Sequence, residues 1–177
     1  MIIALAGRRI DAPDAKKSRF PLQNTQIVKA RVRTIFENLA ASTLVCSAAC
    51  GADLIALAEA GSLGLARKVV LPFDRERFRE TSVVNRLGDW GKLYDQIIDH
   101  VEAAGDLIVL SQSKEGAYSP TNYRILDEAI TLSHRTQKPV TAVLVWDGAS
   151  RGGDDLTSAF ADEARIRGLP VIEVNTD

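Results

Sequence analysis

The chain has 177 residues, of which 46% are apolar and 25% charged, and its formal net charge is −1 at pH 7. That length is enough for one domain that buries roughly 70% of the surface its unfolded form exposes, and the near-neutral balance argues against a general nucleic-acid binder, which carries a high pI. With only Cys46 and Cys50 and no neighbouring histidine, a disulfide framework and a four-ligand zinc site are both excluded. The cysteines read as reduced thiols of a cytoplasmic protein. No stretch approaches the roughly 20 apolar residues of a membrane helix, the opening MIIALAGRR lacks the pattern of a secretion signal, and no repeat or low-complexity tract divides residues 1–177, which are read as a single domain. The charge is unevenly spread. Arg8, Arg9, Lys16, Lys17, Arg19, Lys29, Arg31 and Arg33 face only Asp11 and Asp14 in the first part, whereas the last thirty or so residues lean acidic. Such a distribution supports one local anion site.

In chain order, IIALA at 2–6 predicts a buried strand, followed by the helical spacing of Val28, Val32, Ile35, Phe36 and Leu39. A second strand, TLVCS at 43–47, precedes a helix through Leu54, Leu57, Ala58, Gly61 and Leu65. KVVLP at 68–72 is the third strand, and Trp90, Leu93, Tyr94, Ile97 and Val101 mark the next helix. DLIVLS at 106–111 is followed by a helix over 120–137, with Pro120 in its first turn. TAVLVW at 141–146 leads into a helix over 154–167, stopped by Gly168 and Pro170, and PVIEV at 170–174 is the last strand. Alternating strands and helices, with near-continuous apolar strands, predict an α/β fold: Rossmann-like, doubly wound, with a mainly parallel sheet and helices on both faces. Ligands in that architecture bind beyond the carboxyl ends of the strands.

The unusual residues follow strands. After the first come Gly7, which turns without a side chain, then Arg8 and Arg9, forked donors suited to phosphate or carboxylate, and a long loop in which Phe20 and Pro21 are placed to close over a pocket. After the second come Ser47, Ala48, Ala49, Cys50 and Gly51, small residues at the start of a helix. The N–H groups of Ala49 to Ala52 are candidates to cradle a phosphate. Asp53 has three roles open to it: helix cap, acceptor of ribose hydroxyls, or holder of an arginine. Glu59 lies about 240° round the same helix, so the two carboxylates form no acid/base pair, and it falls away from the apolar stripe. After the fourth strand, Ser111, Tyr118, Thr121, Asn122 and Tyr123 are candidates to orient a base or sugar. After the fifth, Asp147 and then Gly152 and Gly153 precede a second glycine-backed helix start, with Asp154 and Asp155 beside it.

Familiar signatures are absent: the chain has no Walker G-x-x-x-x-G-K-[ST], GRRIDA does not satisfy G-x-G-x-x-G, and there is no G-x-S-x-G elbow. His100 and His134 sit within helical patterns away from strand ends.

Together, Gly7, Arg8, Arg9; Arg19, Phe20, Pro21; Ala48, Ala49, Gly51, Asp53; Leu71, Pro72, Phe73; Phe78, Ser82, Val83; and Trp146, Asp147, Gly148, Gly152, Gly153 form a series spanning nearly the whole chain. In order and spacing it resembles the bacterial nucleotide-sensing domains of the SLOG superfamily, Rossmann-like relatives of the LOG phosphoribohydrolases and of DprA, especially the versions associated with cyclase and TPR signalling proteins. The resemblance implies a nucleotide or nucleotide-derived small molecule as ligand, with Gly7, Arg8 and the Gly51 turn at its phosphates or ribose, and a homodimer. The expected ligand-binding set is Gly7, Arg8, Arg9, Ser47, Ala49, Gly51, Asp53, Tyr118, Asn122, Asp147, Gly152 and Gly153, with no metal and no cofactor. LOG enzymes carry PGGxGTxxE, whose glutamate serves N-glycosidic cleavage; here the segment reads RGGDDLTSAF. That departure favours a sensor acting with a separately encoded effector. The alternative is a nucleotide N-glycoside hydrolase or transferase, for which Asp53, Glu59, Asp147, Asp154 and Asp155 are the candidate carboxylates.

Overall fold

The computed structural model describes residues 1–111 and 118–177, apart from the side chain of Tyr118. The strands are β1 (Ile2–Gly7), β2 (Thr43–Cys46), β3 (Ala66–Leu71), β4 (Leu107–Val109), β5 (Val140–Trp146) and β6 (Val171–Asn175). The helices are α1 (Thr25–Asn38), α2 (Ala52–Ser62), α3 (Arg75–Ser82), α4 (Gly91–Ala103), α5 (Tyr118–Thr136) and α6 (Leu156–Ile166), with a short 3-10 turn at Leu22–Asn24. The sheet has the order β4-β3-β2-β1-β5-β6 and every pairing is parallel. This is the doubly wound α/β architecture expected from the alternation of apolar runs.

Period-two alternation divides the core into two layers. Ile3, Leu5, Leu44, Cys46, Val69, Leu71, Val143 and Val145 face α1, α2 and α4, where Val28, Phe36, Leu54 and Ile98 pack. Their neighbours Ile2, Ala4, Val45, Val70, Ala142 and Leu144 face Ile125, Leu126 and Ala129 of α5 and Phe160 and Ala164 of α6. A one-residue slip in any strand would exchange the two sets.

Helix α3 has no counterpart in the apolar pattern. Its sequence, RERFRETS, buries only Phe78 and Ser82. What holds it is local: the Asp74 carboxylate accepts the Arg77 N–H at 2.9 Å as an N-cap, and Phe78 lies 6.2 Å from Tyr94 between ring centroids.

From β1 the chain moves outward to β4, then returns to the other side of β1 with β5. Strand order therefore reverses between β1 and β5, and the loops leaving their carboxyl ends diverge to frame a crevice.

Candidate functional site

At that reversal the parallel ladder runs one step past Gly7, the Arg8 N–H donating to the Val145 carbonyl at 2.8 Å. This carries Arg8 between the two loops, where it is 1% exposed. Its guanidinium donates through Nη1 and Nη2 to the two oxygens of Asp155 at 2.6 and 2.8 Å, through Nε to Asp147 at 3.0 Å, and through Nη2 to the Ala149 carbonyl at 2.7 Å. Arg19, from the loop after β1, reaches the other Asp147 oxygen at 2.6 Å and the Ala149 carbonyl at 2.8 Å. The forked donors that suggested an anion ligand are engaged by the protein's own carboxylates, in the bidentate geometry that makes such pairs strong. The partners stand 139 and 147 residues away. Burial works against charge on Arg8, but Asp155 and Asp147 outweigh it and raise its pKa. Burial also pushes Asp155 up, yet Arg8 and the Arg151 N–H hold it at about 2.

The turn after β2 has a structural explanation as well. A Cβ on Gly51, whose φ is +96°, would stand 2.8 Å from the Arg8 carbonyl and the Ile10 nitrogen; one on Gly7 would stand 2.3 Å from the Ala52 Cβ. The small residues let the two loops pass in contact. Three N–H groups expected to cradle a phosphate are consequently bound inside the protein: Ala49 to the Asp53 carboxylate, Cys50 to the Ser82 carbonyl and Ala52 to the Arg8 carbonyl. The second glycine turn is closed in a comparable way, with Asp155 accepting from the N–H groups of Arg151, Thr157 and Ser158. Asp155 is the N-cap of α6. Neither turn is an open cradle of amides.

Beside them lies a cavity of about 230 Å³. Leu5, Ala6 and Gly7 form its floor, Ser47, Ala49 and Asp53 one wall, Phe78 and Ser82 the end of α3, Thr121, Asn122 and Ile125 the start of α5, and Asp154, Asp155, Leu156 and Thr157 the start of α6. Among the described residues, Arg9 and Arg151 are its cationic lining residues. Of the expected site residues, Gly7, Arg9, Ser47, Ala49, Asp53, Asn122 and Asp154 meet here. Arg8, Gly51 and Asp147 stand behind the wall as described, Gly152 and Gly153 are exposed on the loop before α6, and the side chain of Tyr118 lies outside the described residues. Asn122 donates to the Leu156 carbonyl at 2.8 Å, tying α5 to α6 across the cavity. Arg9 donates to the Thr81 carbonyl at 3.1 Å. Arg151 makes no side-chain hydrogen bond or ion pair among the described residues, and burial together with the nearby cations Arg8, Arg19 and Arg9 lowers its pKa, with Asp155 opposing them.

Asp53 is 7% exposed. Gly51, not Asp53, occupies the N-cap of α2, and Asp53 has no arginine within ion-pair distance among the described residues. Its carboxylate accepts the Ala49 N–H at 3.2 Å. Burial raises its pKa to about 7, against the pull of that N–H and of Arg9.

Glu59 is elsewhere. It is buried, 1% exposed, and ion-paired to Lys29 at 3.3 Å and Arg33 at 3.1 Å between α1 and α2. It lies off the apolar stripe because cations of α1, not solvent, receive it. Phe20 likewise belongs to the core and not to the cavity: the loop after β1 folds back on itself through Asp11, which accepts from Ser18 Oγ and from the N–H groups of Arg19 and Phe20.

The polar cavity residues outside the expected ligand-binding set are Ser82, Thr121, Arg151, Asp154, Asp155 and Thr157, of which Thr121 is among the candidates to orient a base or sugar and Asp154 and Asp155 are among the candidate carboxylates. Arg151 is the only basic residue between Asp147 and Asp155, a signal legible in the sequence; Ser82 enters through α3, which leaves no periodic apolar trace and is marked only by its place in the motif series. A second, shallow depression of about 490 Å³ runs along Arg79, Trp90, Gly91 and Asp95 between α3 and α4, and Arg79 and Asp95 there are engaged with each other at 2.9 Å. Among the described residues no helix is long and apolar enough to cross a membrane. Set against known proteins, the chain matches no family model and no curated protein.

Proposed function

We propose that the chain binds a nucleotide or nucleotide-derived small molecule in the crevice at the carboxyl ends of β1 and β2, as a sensor of the SLOG type working with a separate effector. The observation that carries this reading is the cavity itself. It lies at the reversal of strand order, where doubly wound folds bind ligands, and it combines two arginines, the hydroxyls of Ser47, Ser82, Thr121 and Thr157, and an apolar floor. Arginines suit phosphate oxygens, hydroxyls and carboxyls suit a sugar, and Leu5, Phe78 and Ile125 offer apolar contact to a base. The SLOG-like motif order supports the same reading, as well as a homodimer and a role in bacterial signalling.

The test is a thermal-shift panel of nucleotides, cyclic nucleotides and NAD-derived nucleotides. A true ligand at 100 times its dissociation constant stabilises the native state by about 2.7 kcal/mol, and Arg9→Ala and Arg151→Gln each reduce that shift. A panel in which no nucleotide shifts the melting temperature refutes the reading.

One observation favours a second reading, cleavage of an N-glycosidic bond. Asp53, raised to about 7 by burial, is a carboxylic acid suited to hand a proton to a departing base, and Asp154 lines the same cavity. Release of free base from nucleoside monophosphates, followed by chromatography, decides it. Turnover near ~1 per second that is lost in Asp53→Asn establishes an enzyme; no release leaves a binding protein.

A further inference from the structure

The deeply buried carboxylates of the described residues are not treated alike. Asp155 and Asp147 are held by Arg8, and Asp147 also by Arg19. Glu59 is held by Lys29 and Arg33. Asp53, 7% exposed, has no such cation, only the Ala49 N–H, and it lines a cavity that contains two arginines.

The charges facing Asp53 come from each side of the cavity. The loop after β1 supplies Arg9, and the loop before α6 supplies Arg151, Asp154 and Asp155. Behind Asp53 lie the thiols of Cys46 and Cys50, both pushed up by burial and so uncharged at neutral pH; Arg86 acts on Cys50 from beyond α3. The start of α5 contributes the neutral Thr121 and Asn122, and of the cations of α1 Lys29 and Arg33 are engaged with Glu59 and Arg31 with the carbonyls of Asn175 and Asp177. Because Asp155 is committed to Arg8, Asp53 is, among the described residues, the buried carboxylate of the cavity that no cation holds.

We propose that this cavity binds an oxyanion of the phosphate or sulfate class together with one proton, and that Asp53 carries the proton. In the occupied state one Asp53 oxygen accepts the Ala49 N–H and the other, as O–H, donates to the ligand, while Arg9 and Arg151 face its charge. Ionised Asp53, itself 7% exposed, sets a second anion against the ligand. Burial that already places Asp53 near neutrality makes the proton easy to recruit. The inference rests on the cavity being the ligand site and deepens that reading by naming the charge state it selects.

Sulfate is the probe, since its own charge is constant between about pH 6 and 8.5. Its dissociation constant is expected to rise about tenfold per pH unit above the Asp53 midpoint and to level off below it, as linkage to one proton requires. Asp53→Asn, which has the neutral shape, should bind at the alkaline end as tightly as the wild type does at the acidic end. Arg151→Gln should weaken binding at least about fivefold throughout and keep the slope. Should Asp53→Asn fail to fold, carbon NMR of the wild-type Asp53 carboxyl decides: its midpoint must move up when sulfate is added. No saturable sulfate binding at about pH 6, an unchanged pH slope in Asp53→Asn, or a midpoint unmoved by sulfate overturns the proposal. Cyclic AMP, whose phosphodiester keeps its charge over the same range, separates the two readings. Nucleotide binding that ignores pH overturns this inference alone, whereas pH-linked sulfate binding with no nucleotide response overturns the nucleotide reading alone.

Discussion

Asp53 and Asp155 stand on the same cavity, each at the start of a helix and each nearly out of contact with water, yet one is raised to about 7 and the other held at about 2. Burial pushes both upward. Their partners separate them: Asp155 has the two-pronged guanidinium of Arg8 and three backbone N–H groups, whereas Asp53 has the single N–H of Ala49. The first carboxylate is a permanent charge that builds the site, and the second is an adjustable one available to whatever enters. Desolvation sets the direction in which a buried acid is driven, and a specific counter-charge decides whether it goes there.

The largest effect is expected from breaking the fixed side of this comparison. Arg8→Ala leaves Asp155 buried without its cation and Asp147 with Arg19 alone, and the loss of stability should be about 3–5 kcal/mol in urea unfolding at neutral pH; a loss under about 1 kcal/mol means the network is not what holds the loops. Next comes the adjustable side. A carboxyl whose folded pKa lies above its unfolded 3.8 binds protons more tightly when folded, so it stabilises below about pH 4 and that contribution drains away as pH rises toward 7. The wild type should therefore lose up to about 4 kcal/mol of stability between pH 4 and 7 through this one group, and Asp53→Asn should be flatter over that range. Equal slopes in the two proteins contradict the raised pKa.

Asp155 has the opposite sign. Its folded pKa lies below 3.8, so its contribution is full above that value and is lost as pH falls toward 2. Asp155→Asn should remove about 2 kcal/mol of acid-sensitive stability, seen as a shallower decline between pH 4 and 2 in chemical unfolding. The smallest effect is expected at Glu59, remote from the cavity. Its cations Lys29 and Arg33 are 51% and 43% exposed and water can replace the lost partner, so Glu59→Gln should cost about 1 kcal/mol and leave every ligand response unchanged. A changed sulfate response in that variant connects two regions that the fold keeps apart.

The sequence was readable where one rule acted alone. All six strands stand within two residues of the apolar runs that announced them, since a strand buried on both faces has to be apolar throughout. The helices with a stripe at 3.6-residue spacing were equally plain, but α3 was not, because a cap at Asp74 and one anchoring ring at Phe78 leave no periodic trace. Gly7, Ser47, Ala49, Asp53 and Asn122 were found from their position after strands. The roles were harder. Arg8 looks like a ligand donor until its partners, far off in the chain, come into view, and Gly51 looks like an anion turn until the Arg8 carbonyl is seen against it. Local sequence shows which groups are available but not which have been claimed by distant ones.

The bonds from Arg8 to Asp147 and Asp155 cross most of the chain, and β1 itself pairs in register with β5, Ile2 opposite Val140. A contact of that sequence separation must overcome a large loop-closure entropy before it gains anything. Strand β1 is thus a central one that cannot complete its pairing until β5, far along the chain, has been made as well. The crevice cannot close before β1 and β5 have paired and the loop after β5 is in place. Substitutions around Arg8 should consequently leave the folding rate almost unchanged and quicken unfolding, so that the lifetime of the native state, more than the speed of reaching it, is what the Arg8 network governs.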